Sequence, residues 1–188
     1  MARAGLTTER VVQAAAELAD EVGFDNLTVS ALARRFGVKD ASLYSHVRSL
    51  RDLRTQVAVL AAREKTDRIA DAVAGRAGRD ALAAFAHAYR EYALEHPGRY
   101  AATQSPLDPD AVAISSGHRR AVEISYAVLR GYGLAEPDAT DAVRLLRSTL
   151  HGYISLETNG GFAHARDPAA TWERVIDALH NALQHWPS

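Results

Sequence analysis

Residues 27–47 read LTVSALARRFGVKDASLYSHV, two short helical patterns hinged on one glycine. Thr28 is an N-cap residue ahead of Leu32, Ala33 and Phe36, which share one face. Gly37 closes that segment, because a residue without Cβ turns the chain there at little steric cost. After Val38 and Lys39 a second segment runs from Asp40 to about His46, with Leu43 and Val47 apolar. Ala33 is small enough to let two helices approach, and Val38 and Leu43 plug the space between them. The polar residues left on the second segment are Lys39, Asp40, Ser42, Tyr44, Ser45 and His46. These suit phosphate oxygens and base edges rather than the Glu/Lys pattern of a solvated face. Two short helices joined by a tight glycine turn, with a third packed behind, form a helix-turn-helix.

The flanks supply the remaining helices. Thr7 is an N-cap candidate, with Glu9 in the first turn and Leu6 placed to staple onto Val11. From there Val11, Val12, Ala15, Leu18, Ala19 and Val22 recur at mostly helical spacing until Gly23. On the other side Ser49 with Asp52 forms a capping-box pattern that opens a long helix to about Ala74. Between residues 28 and 54 lie six basic residues (Arg34, Arg35, Lys39, Arg48, Arg51, Arg54) and two acidic ones (Asp40, Asp52), a local balance of +4. The whole chain carries −1, so this is a basic module on an acidic body.

With 47% hydrophobic and 24% charged residues and only 12 Gly and 6 Pro in 188 positions, the chain has the balance of a folded protein. Abundant alanine and few β-branched runs point to an all-α fold. No cysteine is present, which excludes disulfides and thiolate metal sites. No apolar run approaches the ~20 residues of a membrane span, and no leader is visible, so a soluble, cytoplasmic protein is expected. The histidines include no close ligand cluster, and no nucleophile elbow, P-loop or dinucleotide glycine motif appears. No metal, cofactor or enzymatic activity is expected.

The body beyond residue 54 reads as helices punctuated by proline. One spans about Asp80 to His96 and stops at Pro97-Gly98; Asp108-Pro109 and Asp167-Pro168 are N-cap-plus-N1 pairs opening others, and Glu136-Pro137 opens one less cleanly. Apolar stripes follow: Val143, Leu146, Leu150 and Ile154 on the helix of about 137–159, and Trp172, Val175, Ile176, Leu179, Leu183 and Trp186 on that of about 168–185. Either an internal core or a partner helix pair accounts for them. Phe85, Tyr89 and Tyr92 stand at i, i+4 and i+7, with Tyr100, Tyr126 and Tyr153 elsewhere. Such a stripe is either core or the wall of an apolar cavity with a few hydroxyl handles.

The segment from Leu27-Thr28-Val29 through Ala33-Arg34-Arg35-Phe36-Gly37-Val38 to Ala41-Ser42-Leu43-Tyr44-Ser45-His46-Val47 resembles the signature of TetR-family repressors, over about residues 7–54. The resemblance implies a helix-turn-helix DNA-binding domain at 1–54 and an effector-binding and dimerisation domain at 55–188. It implies a homodimer on a palindromic double-stranded DNA operator, with a small organic effector releasing the DNA. By the same resemblance Thr28 contacts phosphate, as do Ser42, Tyr44 and His46, while Lys39, Asp40, Ala41 and Ser45 lie where base edges are read. His46 is alternatively a helix C-cap, and Asp40 either caps its helix or accepts from a cytosine. The family has a lysine after the serine that opens the fourth helix; here Leu50 stands in its place, with Arg48 or Arg51 as substitutes.

Leu150-His151-Gly152 followed by Gly160-Gly161-Phe162 resembles the subgroup with a Trp-His-Gly motif, Leu150 replacing the tryptophan. This implies an effector pocket among Phe85, Tyr89, Tyr126, His151 and Phe162, with Gly152 allowing a close helix crossing; His151 is otherwise a core histidine. Two other functions fit the sequence: a constitutive DNA-binding protein without effector, and a helical small-molecule-binding protein whose N-terminal bundle only mimics the motif.

Overall fold

A computed structural model describes residues 5–106 and 115–187, and among them every regular element is helical. The helices are α1 (Thr8–Val22), α2 (Val29–Phe36), α3 (Asp40–Leu43), α4 (Leu50–Val73), α5 (Gly78–Glu95), α6 (Pro97–Gln104), α7 (Ser116–Arg130), α8 (Asp138–Thr158) and α9 (Pro168–Gln184), with a 3₁₀ turn at Phe24–Asn26. The chain divides into two compact units, Met1–Glu64 with Glu95–Arg119, and Lys65–Leu94 with Arg120–Ser188.

In the first unit the expected caps are in place. Thr7 accepts from the Arg10 amide at 3.3 Å and Thr28 from the Ala31 amide at 3.2 Å, each satisfying a donor the helix leaves open. Gly37 ends α2 in the left-handed region at φ 65°, where a Cβ would be strained. Ser49 accepts from Asp52 N at 3.1 Å while the Asp52 carboxylate accepts from Arg48 N at 2.8 Å, so the capping box is real but reaches back one residue further. Leu27, Leu32, Ala33, Leu43, Val47 and Leu53 pack with Val11, Ala15 and Ala19 into one core.

The second segment of the motif is shorter than expected. Its α-helix ends at Leu43 and continues as a turn over residues 44–46, held by His46 N and Val47 N donating to Leu43 O. Asp40 caps nothing: Lys39 is the N-cap residue, without a side-chain bond, and the Asp40 carboxylate instead accepts from the Ser30 hydroxyl, tying α3 to α2.

Pro97 opens a helix as well as closing one. It occupies the first turn of α6, where a missing N–H costs nothing. This helix lies directly on α1: a Cβ on Gly98 would fall 2.0 Å from the carbonyl oxygen of Ala19. Asp20 on α1 accepts from Arg99 N at 2.8 Å and pairs with its Nε at 3.0 Å, and Arg99 also reaches Glu64 at 3.1 Å. The carboxylate thus caps α6 from a neighbouring helix.

In the second unit α5, α7, α8 and α9 enclose a core of Leu82, Phe85, Leu129, Leu146, Leu150, Ile154, Trp172, Ile176 and Leu183. Ion pairs tie α5 to its neighbours, among them Arg79 to Asp177 at 2.6 Å and Arg90 to Glu157 at 2.5 Å, the latter guanidinium lying 5.7 Å from the Trp172 ring centroid. Asp167 caps α9 by accepting from Ala169 N at 3.0 Å, with Pro168 in the first turn as its dipeptide announced. The Asp108-Pro109 signal lies outside the described residues.

Most of the apolar stripe residues of α8 and α9 go to an internal core, while Val143, Val175 and Trp186 stay half-buried. Leu146 is 2% and Leu183 1% exposed within the single chain, so these side chains are occupied by their own protomer. Gly152 does not mark a close crossing within the chain, since a Cβ there meets nothing within 4 Å.

Candidate nucleic-acid interface and effector residues

The folding of α2 and α3 sorts the motif into an inner and an outer set. Leu43 and Val47 are buried, whereas Thr28, Lys39, Asp40, Ala41, Ser42, Tyr44, Ser45, Arg48 and Arg51 are exposed and His46 is half-buried. Tyr44 is 53% exposed, a large amphipathic ring presented to solvent rather than packed. Ser45 donates its hydroxyl to Ser42 O at 2.8 Å, leaving its lone pairs open. His46 sits deeper because its carbonyl accepts from the Thr8 hydroxyl at 3.4 Å.

The basic residues separate in the same way. Arg35 bonds Glu21 at 2.6 Å and Glu17 at 3.2 Å, which raises its pKa through those carboxylates, and Arg54 donates to the Asp25 and Leu27 carbonyls at 2.7 and 3.2 Å. Both fasten the head internally. Arg34, Lys39, Arg48 and Arg51 are exposed and form no ion pair among the described residues. The +4 balance read from sequence therefore overstates what the surface offers, though its outward part coincides with the exposed polar row.

The five effector candidates all fall in the second unit. Phe85 and Tyr89 are buried and stacked with centroids 6.2 Å apart. Tyr126 has its hydroxyl 2.9 Å from Thr140 Oγ1; since Thr140 donates to Glu136 at 2.7 Å, the tyrosine is the donor and is spent on a local network. Phe162 packs on Tyr153 at 4.8 Å, and Tyr153 donates to Pro168 O at 2.6 Å. His151 is half-buried, and burial, with the charges of Arg147 and Lys65, lowers its pKa below the ordinary histidine value.

Lys65 is the residue that sequence reasoning missed. Its ammonium lies 4.7 Å from the Tyr89 ring centroid, and burial together with the Arg147 charge lowers its pKa to about 8. In sequence it sits in the charged run Arg63-Glu64-Lys65, where nothing distinguishes it from a solvated lysine. No group of His, Asp or Glu able to hold a metal occurs among the described residues, and no helix there is long and apolar enough to cross a membrane.

Residues 11–57 match the family of bacterial regulatory proteins of the tetR type, and residues 82–179 match the tetracyclin repressor-like C-terminal domain. An HTH-type transcriptional regulator of Mycobacterium tuberculosis is 41% identical over 84% of this chain and 72% of its own length. Another, from Bacillus subtilis, is 34% identical over 88% of this chain and 86% of its own. Among solved structures, a TetR protein of Acinetobacter baumannii in complex with minocycline superposes with a TM-score of 0.72 at 23% identity, over 98% of this chain and 99% of that one.

Proposed function

Because the chain belongs to the TetR family of bacterial transcriptional regulators, we propose that it is a repressor that holds a palindromic operator as a dimer and is released by a small organic effector. The observation that carries this reading is the exposed row Lys39, Ala41, Ser42, Tyr44 and Ser45 on and just after α3, flanked by Arg48 and Arg51. Here α3 is the element that enters the major groove, and residues 1–54 form the reading head on a body of 55–188. Lys39, Asp40, Ala41 and Ser45 face base edges; Thr28, Ser42, Tyr44, His46, Arg48 and Arg51 hold phosphates. The minocycline bound to the Acinetobacter protein supports a body that accepts an organic molecule.

The test begins by selecting DNA with the purified protein from random fragments and titrating the recovered site. Arg48→Ala should weaken binding on every sequence and flatten the salt dependence, because a cation on phosphate acts by counterion release. Lys39→Ala should relax preference at one operator position, a base contact discriminating by about 1–3 kcal/mol. Equal loss on all sequences for Lys39→Ala would remove α3 from the groove.

For the dimer we propose the faces of α8 and α9 that the internal core leaves over. Leu145, Thr149, Gly152 and Leu156 recur at i, i+4, i+7 and i+11 on α8, and Thr171, Val175, Ala178 and Ala182 do so on α9, all exposed or half-buried. Small residues allow close helix approach, and Leu156, 50% exposed, supplies an apolar knob. Leu156→Glu should give a folded monomer by sedimentation with much weaker operator binding, since one half-site supplies only part of the affinity. An intact dimer would move the interface elsewhere.

A further inference from the structure

We propose that Asp40 is a specificity-determining residue of the reading head, its carboxylate admitting a base edge that presents an amino group and rejecting one that presents acceptors alone, with Ser30 as the positioning residue that holds it. The proposal rests on the operator-binding reading above and adds which base chemistry one position of α3 selects.

A carboxylate on a surface that meets DNA needs a reason, since it repels every phosphate it approaches. Asp40 opens α3 and is exposed, on a head whose exposed cations are Arg34, Lys39, Arg48 and Arg51. It forms no ion pair among the described residues, so none of those cations neutralises it. Its Oδ2 instead accepts from the hydroxyl of Ser30, in the first turn of α2. A neutral hydroxyl fixes the direction of a carboxylate without cancelling its charge.

The fold does not depend on that bond. Leu32, Ala33, Leu43 and Val47 hold α2 and α3 together in the buried core, and Gly37 sets the turn between them. Ser30 and Asp40 are both exposed, where a hydrogen bond adds little to stability. What the bond does is take rotamer freedom from a side chain at the start of the element that enters the groove. An ionised carboxylate only accepts hydrogen bonds, and with Oδ2 on Ser30 the other oxygen remains for the DNA. In the major groove cytosine N4 and adenine N6 donate, whereas guanine presents N7 and O6 and thymine O4, all acceptors. Held in place, Asp40 sets lone pair against lone pair at guanine or thymine. Free to swing, it would turn to solvent and the penalty would vanish, so the discrimination comes from rejection and needs the Ser30 hydroxyl.

The full-length parent, Asp40→Ala, Ser30→Ala and Ser30→Thr each select DNA from random fragments, and affinities for the parent's selected site and its single-base variants are measured at one salt concentration. At one position the parent should prefer cytosine or adenine over guanine or thymine by about tenfold or more. Asp40→Ala should bind the guanine variant about tenfold more tightly than the parent does, keeping its preferences elsewhere. A gain of affinity cannot come from misfolding. Ser30→Ala should lose most of the same preference, and Ser30→Thr, which keeps the hydroxyl, should retain it. The proposal is overturned by an Asp40→Ala protein that keeps every base preference or gains equally on every sequence, and by a Ser30→Ala protein that matches the parent at that position. A parent that selects no sequence at all would refute the operator-binding reading, and the proposal with it.

Discussion

Gly98→Ala should destabilise the protein by about 3–5 kcal/mol and cost it operator binding, an effect far outside the ordinary range for adding one methyl group. The new Cβ would fall 2.0 Å from Ala19 O, 2.1 Å from Ala19 C and 2.6 Å from Asp20 N. All three are backbone atoms of α1, so no rotamer change makes room, and α6 must be pushed off the helix that braces the reading head. Displacement also breaks the bonds from Asp20 to Arg99, whose backbone and guanidinium are fixed by that approach. Asp20→Asn should cost less, about 1–3 kcal/mol, because it weakens the charge pairing but leaves the helices in contact. Urea unfolding of the two variants and the parent gives the ranking directly. A Gly98→Ala midpoint equal to that of the parent would mean that α6 is not seated on α1.

This contact adds to how the helix-turn-helix is braced. The long helix from Leu50 is the obvious lever when only the sequence is at hand, since it leads straight out of the motif. Within the first unit, α6 is clamped to α1 by a glycine with no spare room and a carboxylate cap. A shift of α6 cannot be absorbed by side chains at Gly98 and must be passed to α1 or break the contact.

What was legible in sequence was whatever depends on neighbours along the chain. Thr7, Thr28, Ser49 and Asp167 announce helix starts because each cap bonds an amide only two or three residues ahead. Gly37 announces its turn through a local backbone angle. The exposed polar row of the motif was legible for the same reason, as the leftover face once the apolar positions were assigned. What was hidden depended on distant residues. Pro97 looked like a stop, because the carboxylate that caps the following helix comes from Asp20, far back in the chain. Leu146 and Leu183 fit an interface as well as a core until packing showed them filled from within. Arg35 and Arg54 counted toward the basic face until their partners on α1 and in the loop behind it were visible. The local partners of Tyr126 and Phe162 were hidden for the same reason, as was the approach of Lys65 to Tyr89, since in sequence that lysine looked like solvent-facing charge.

Lys65→Met should raise the stability of the ligand-free protein by about 3 kcal/mol at pH 7, with the gain shrinking as pH rises. The sign follows from the direction of the shift. The Lys65 pKa falls from the ordinary 10.5 to about 8 in the folded state, by burial first and the Arg147 charge second, so the folded protein binds this proton more weakly than the unfolded chain does. Below about pH 8 both states carry the charge and the folded one bears the whole penalty. Between 8 and 10.5 the folded protein sheds the proton first, and stability contributed by this group rises with pH. The difference between Lys65→Met and the parent should therefore be largest at pH 7 and fall to about 1 kcal/mol near pH 10. Urea titrations of both proteins across that range measure it, and taking the difference cancels the tyrosines and other lysines that titrate in both. A difference that stays flat from pH 7 to 10 would place the Lys65 ammonium in water.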